Sequence, residues 1–207
     1  MDEGGLRARE AVCGFHVPLG GWSELPERRA VNMWCLTIHE LSAWSSVAGR
    51  LTQTEGNRVQ LSAKHIVTVG LSDLKWPGLT WFGKFVASAV EPFGNCLLWV
   101  TEFGVWPSRE NWQLFYRLRE SYAERRQLQD APGHLFLEHE AVDLATFIGL
   151  ALLFGWDFYV LPDTGYANVF VSHDGFLHIY TDDLNAAGSI KKSLDEAKVE
   201  WTVEHAA

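Results

Sequence analysis

A chain of 207 residues with 47% hydrophobic and 21% charged positions and a formal charge of −9 is too apolar to be disordered and long enough to bury a core without metal or disulfide staples. Its acidity is uneven: residues 1–103 are close to neutral at −1, whereas residues 104–207 carry −8. A surface of that sign repels phosphate, so direct nucleic-acid binding is disfavoured and a basic protein partner is the expected complement.

The three cysteines, Cys13, Cys35 and Cys96, are odd in number and irregularly spaced, and the first residues do not read as a basic and apolar leader, which together fit a reducing cytoplasm. The longest apolar run, Leu144 to Trp156, is interrupted by Thr146, Gly149 and Gly155, and its 13 residues fall short of a membrane span. No membrane partner is expected. Ten tryptophans without a fixed period imply a tryptophan-rich core rather than a repeat architecture.

In chain order, Val12 to Val17 reads as a short strand and Leu19 to Arg29 as a loop. Val31 to Ile38 is β-branched and aromatic, a strand, and Thr37 with Glu40 then has capping-box spacing for a helix reaching about Leu51. A strand follows from Arg58 to Val69. After Trp76-Pro77-Gly78, Thr80 opens a helix in which Trp81, Phe82, Phe85, Val86 and Ala89 recur at helical spacing. Leu97 to Val105 is a strand, and Ser108 caps a helix from Arg109 to about Tyr122 with Trp112, Phe115, Leu118 and Tyr122 on its buried stripe.

His134 to Glu138 is a short strand, and the helix from Glu140 to Phe154 is apolar nearly all round, so it should be covered on several sides. Asp157 to Leu161, Tyr166 to His173 and Phe176 to Thr181 are strands, the last two joined at Asp174-Gly175. Asp182 or Asp183 caps a final helix whose stripe runs from Leu184 through Ala197 to Trp201. The pattern predicts an α/β chain, an α+β sandwich in which helices flank a mixed sheet, with a C-terminal β-hairpin and terminal helix. Residues 92–207 read as a compact β-α-β-α-β-β-α unit, and residues 1–91 as an N-terminal layer or extension, the whole forming one continuous domain or two.

Chemistry-bearing candidates are few. A two-residue hairpin turn would make 173 face 176 and lay His173, Phe176, His178, Val169, Val171 and Tyr180 on one face, with His173 and His178 diagonal neighbours that His134 or Glu138 could join around a metal. His139-Glu140-Ala-Val-Asp143 mimics a zinc-helix motif, but acids at a helix start are the ordinary dipole complement. Neither set reaches three ligands, so no metal and no cofactor are expected. Glu102 alternates with Leu98 and Val100, which predicts a buried, paired carboxylate or an acid in a cleft. Glu102, His134, His173 and His178 are the catalytic candidates, and Cys96 reads as an inert buried thiol.

The function expected is a non-catalytic cytoplasmic interaction module of the immunity, antitoxin or adaptor kind. Its surface would be Glu138, Glu140, Asp174, Asp182 and Asp183, with Trp106, Arg109, Trp112 and Trp201 as aromatic and arginine anchors. Two other readings stand beside it: a metal-dependent hydrolase around the histidines, and a module binding a small ligand or sugar between tryptophans.

Overall fold

In the computed structural model the described residues are 33–47, 52–53, 59–71, 78–103, 109–164 and 166–205, all within the unit Asn32–Ala207. The expected strand at Val12 to Val17, the loop to Arg29 and the Trp76-Pro77-Gly78 break lie outside them, apart from Gly78. Ten strands and five α-helices are assigned among these residues: β1 (Trp34–Leu36), α1 (Ile38–Val47), β2 (Thr52–Gln53), β3 (Val59–Gln60), β4 (His65–Gly70), α2 (Gly78–Val90), β5 (Asn95–Glu102), α3 (Arg109–Ser121), β6 (Gly133–Leu137), α4 (Ala141–Leu153), β7 (Asp157–Pro162), β8 (Asn168–Ser172), β9 (Phe176–Thr181), α5 (Leu184–Glu196) and β10 (Trp201–His205).

Eight strands form one sheet in the order β1-β6-β5-β7-β8-β9-β4-β10, and β2 pairs with β3 separately. The chain is α+β, as its pattern predicts. Every neighbour pairing in the large sheet is antiparallel, so the sheet is not mixed. Strands of the first 91 residues, β1 and β4, add to the same sheet, beside β6 and β9 respectively.

Local chemistry sets several boundaries. Thr37 and Glu40 close the capping box reciprocally: the Glu40 carboxylate accepts the Thr37 N–H at 2.8 Å and the Thr37 hydroxyl accepts the Glu40 N–H at 3.3 Å. Asp183 caps α5 by accepting from Asn185 and Ala186 N–H.

The other end of α5 corrects the sequence reading. The expected stripe continued to Trp201, but the helix stops at Glu196. Lys198 takes a left-handed φ of 56°, and the Val199 N–H returns to the Leu194 carbonyl at 3.0 Å. Trp201 then belongs to β10, whose Trp201 and Val203, like Val199 just before the strand, pack on the core while the strand pairs with β4. Similarly, the single strand expected from Arg58 to Val69 is two, β3 and β4.

One face of the sheet carries the main core. Leu98 and Val100 of β5, Phe158 and Val160 of β7, Val169 and Val171 of β8, and Leu177 and Ile179 of β9 join Phe82 and Val86 of α2, Phe115 of α3, Phe147 and Ile148 of α4, and Ile190 of α5 in one buried cluster. α2 and α4 approach closely because Gly83 offers no Cβ against the α4 backbone. α4 is buried through Leu144, Phe147, Ile148, Ala151 and Leu152, but Val142 is 78% exposed and Leu153 is also exposed, so the helix is covered less completely than its apolar sequence predicts. On the opposite face Leu97, Trp99, Tyr159 and Leu161 are also buried, and the Tyr159 hydroxyl accepts from the Val59 N–H and donates to the Val59 carbonyl.

Candidate functional site at one rim of the sheet

Because the strands are antiparallel, the end of β5, the start of β7 and the β8–β9 turn meet at one rim. The turn differs from the sequence reading by one residue. Ser172 pairs with Phe176, which leaves a three-residue loop of His173, Asp174 and Gly175, with Gly175 at φ 85° where glycine alone is unstrained. That slip turns every β8 side chain to the other face relative to those of β9. Val169 and Val171 lie in the helix-side core with Leu177 and Ile179, while His173 leaves the ladder altogether.

Asp157 catches His173 there. One oxygen, Oδ1, accepts the His173 backbone N–H and lies 2.6 Å from the ring Nδ1. Glu102 joins through a β-bulge. Val100 pairs with Phe158 but Glu102, not Thr101, pairs with Asp157, so one extra residue turns Glu102 off the core face that simple alternation assigns to it. Its side chain is 45% exposed and its Oε2 stands 4.0 Å from His173 Nδ1. The buried acid is Asp157, at 7% exposure. Sequence reasoning missed it; the available signal was an aspartate opening the otherwise apolar run Phe158 to Pro162.

Asp174 completes the group, its Oδ1 3.6 Å from His173 Nε2 on the far side of the ring. The hydrogen bond to Asp157, helped by the charges of Asp157, Asp174 and Glu102 and opposed by partial burial, holds the imidazole above its ordinary range. Glu102, Asp157 and His173 place three possible ligand atoms within 4.8 Å of one another.

The remaining histidine candidates do not join this rim. His178 lies on the face away from the helices but further along β9, sharing a 3.0 Å hydrogen bond between Nδ1 and Thr68 Oγ1 and stacking with Phe170 and Phe176. His134 is fully buried, edge-on to Phe115 and tilted against Phe147. Its burial, with the nearby Arg119 cation, lowers its pKa to about 3. The imidazole is therefore a neutral core group, not a ligand beside His173. Cys96 is fully buried and burial drives its thiol well above the ordinary range, as expected of an inert core cysteine.

The binding candidates scatter. Glu140 is 3% exposed and accepts the Met33 and Leu137 N–H groups at 2.6 and 2.8 Å, so it secures the entry to α4 from within and cannot be surface. Trp112 packs edge-on to Phe103 and Trp156. Trp201 donates from Nε1 to Asp195 and receives Lys191 over its ring at 5.6 Å. Trp106 lies outside the described residues, as does the side chain of Arg109.

At the opposite rim five exposed acids follow one another across the strand ends: Glu138 after β6, Glu91 before β5, Asp163 after β7, and Asp182 and Asp183 after β9. From β6 to β9 they span about 19 Å at ordinary strand spacing. Asp163 accepts from Gly94 and Asn95 N–H, Asp182 from Lys64 N–H, and Asp183 caps α5.

A groove of about 420 Å³ between α2 and α4 is bordered by Leu79, Ala87, Val142, Leu150 and Leu153, with no tryptophan in its described lining. No helix among the described residues is long and apolar enough to cross a membrane. No known protein family matches the chain, nor does any curated protein or solved structure compared with it.

Proposed function

We propose that the chain is a non-catalytic interaction module, in the manner of an immunity or adaptor protein, that presents the rim of Glu91, Glu138, Asp163, Asp182 and Asp183 to a basic protein. One observation carries this reading. Three of the five carboxylates are satisfied by backbone N–H groups, and none of the five is ion-paired with a lysine or arginine among the described residues. Amide hydrogen bonds fix a carboxylate in place without cancelling its charge, so the field of the row adds up and is held rigid before a partner arrives. Asp174 and Trp201 belong to the other rim and are not part of this surface.

The test uses Glu91 and Glu138, whose side chains hold no described element together. With a partner captured from cells that make the protein, Glu91→Lys with Glu138→Lys should slow association about tenfold or more and change dissociation little, and added salt should slow association of the unaltered chain. Association that ignores both salt and charge reversal would overturn the reading.

A further inference from the structure

We propose that Glu102, Asp157 and His173 bind a divalent transition-metal ion through one oxygen of each carboxylate and the ring Nδ1. This goes beyond the interaction surface, which lies at the other rim, and rests on none of its evidence.

The geometry is near that of a filled site. His173 Nδ1 lies 2.6 Å from Asp157 Oδ1 and 4.0 Å from Glu102 Oε2. Around a tetrahedral ion with ligand bonds of about 2.0–2.2 Å, donor atoms sit roughly 3.4 Å apart. An entering ion therefore draws Glu102 inward and parts Asp157 from the ring by less than about 1 Å each. Glu102 is half-exposed and stands at a strand end. Coordination needs the Nδ1 lone pair, so the proton at that nitrogen passes to solvent while Nε2 keeps its own.

Two further features favour an ion over a chance cluster. A ligating histidine characteristically offers its second nitrogen to a carboxylate that orients the ring, and Asp174 Oδ1 stands 3.6 Å from Nε2, opposite the proposed ligands. The ligands also come from three elements, each placed by a local irregularity: the bulge for Glu102, the aspartate heading an apolar strand, and the glycine-dependent turn for His173. One nitrogen and two oxygen donors suit zinc, manganese or iron(II) better than calcium or magnesium, which take oxygen almost throughout. The exposed side, with His173 at 25% and Glu102 at 45% side-chain exposure, leaves remaining coordination positions to water.

The test is titration of the full chain, stripped with a chelator, with zinc by calorimetry and with cobalt(II) by visible absorption. One ion per chain is expected. His173→Gln should abolish stoichiometric binding, Glu102→Gln should weaken it at least tenfold, and Asp174→Asn should weaken it about tenfold through the ring orientation. Asp130→Asn, an exposed acid elsewhere, should change nothing. Because Glu102 and Asp174 are not buried, their variants fold and the comparison stays readable even if a change at Asp157 does not. No stoichiometric ion in the unaltered chain, or an affinity in the Glu102→Gln and His173→Gln variants equal to that of the unaltered chain, would overturn the proposal.

Discussion

Asp157 Oδ1 holds His173 twice, accepting its backbone N–H and lying 2.6 Å from its ring Nδ1. One oxygen thus fixes both the path of the β8–β9 turn and the direction of the imidazole. The pairing stabilises the cationic ring, so the folded pKa of His173 rises above its ordinary 6.5. A raised folded value adds stability that is fully present below pH 6.5 and is lost as pH climbs through the folded value. Measured with a chelator present, the stability difference between the unaltered chain and His173→Gln should be larger at about pH 5.5 than at about pH 9. An equal difference at both would mean that the Asp157 contact does not favour the cation.

His134 behaves in the opposite sense. Its pKa falls to about 3 because burial, then the Arg119 cation, disfavours the charged ring. The unfolded chain takes up the proton first, so stability should decline as pH drops from 6.5 towards 3, by at most about 1.4 kcal/mol per pH unit. His134→Leu should remove that component and flatten acid unfolding over the same interval. An unchanged acid profile would show that other groups set it.

Glu140 ties the segment before β1 to the start of α4 through the Met33 and Leu137 N–H groups. Removing a buried charged acceptor leaves two amides without partners, and Glu140→Ala should lower stability by about 2–4 kcal/mol. Denaturant midpoints at constant slope report this directly. A loss below about 0.5 kcal/mol would mean that water replaces both bonds at no cost.

What the sequence made legible was local. Thr37 with Glu40, Asp183 before α5, and the stripes of α2 and α3 depend on neighbours within a turn or two, and they appear where the pattern puts them. The rim cluster depends on register. A single extra residue at Thr101 reverses the face of Glu102, and a three-residue rather than two-residue turn separates His173 from His178; neither is encoded in alternation alone. Glu140 shows the same limit, since an acid at a helix start is usually solvated and only the distant Met33 amide explains its burial. Trp201 continued a helical stripe on paper, but the turn at Lys198 and pairing with β4 took precedence over spacing.

Two helical glycines give a matched test of the packing. In α2, a Cβ on Gly83 would lie 2.5 Å from the Ala145 carbonyl oxygen and 3.2 Å from the Gly149 amide nitrogen. Both are backbone atoms of α4, so relief requires the helices to part. In α5, a Cβ on Gly188 meets nothing within 4 Å, and the position is exposed. Each change to alanine gains roughly 0.5–1 kcal/mol of helix propensity. At Gly188 nothing opposes that gain, so Gly188→Ala should stabilise the protein by about that amount. At Gly83 the overpacking of a closed helix pair, typically 1–3 kcal/mol, outweighs it. Gly83→Ala should therefore lower the melting temperature while Gly188→Ala raises it. If both raise it, α2 and α4 yield without strain, and the close contact at Gly83 is not what sets their separation.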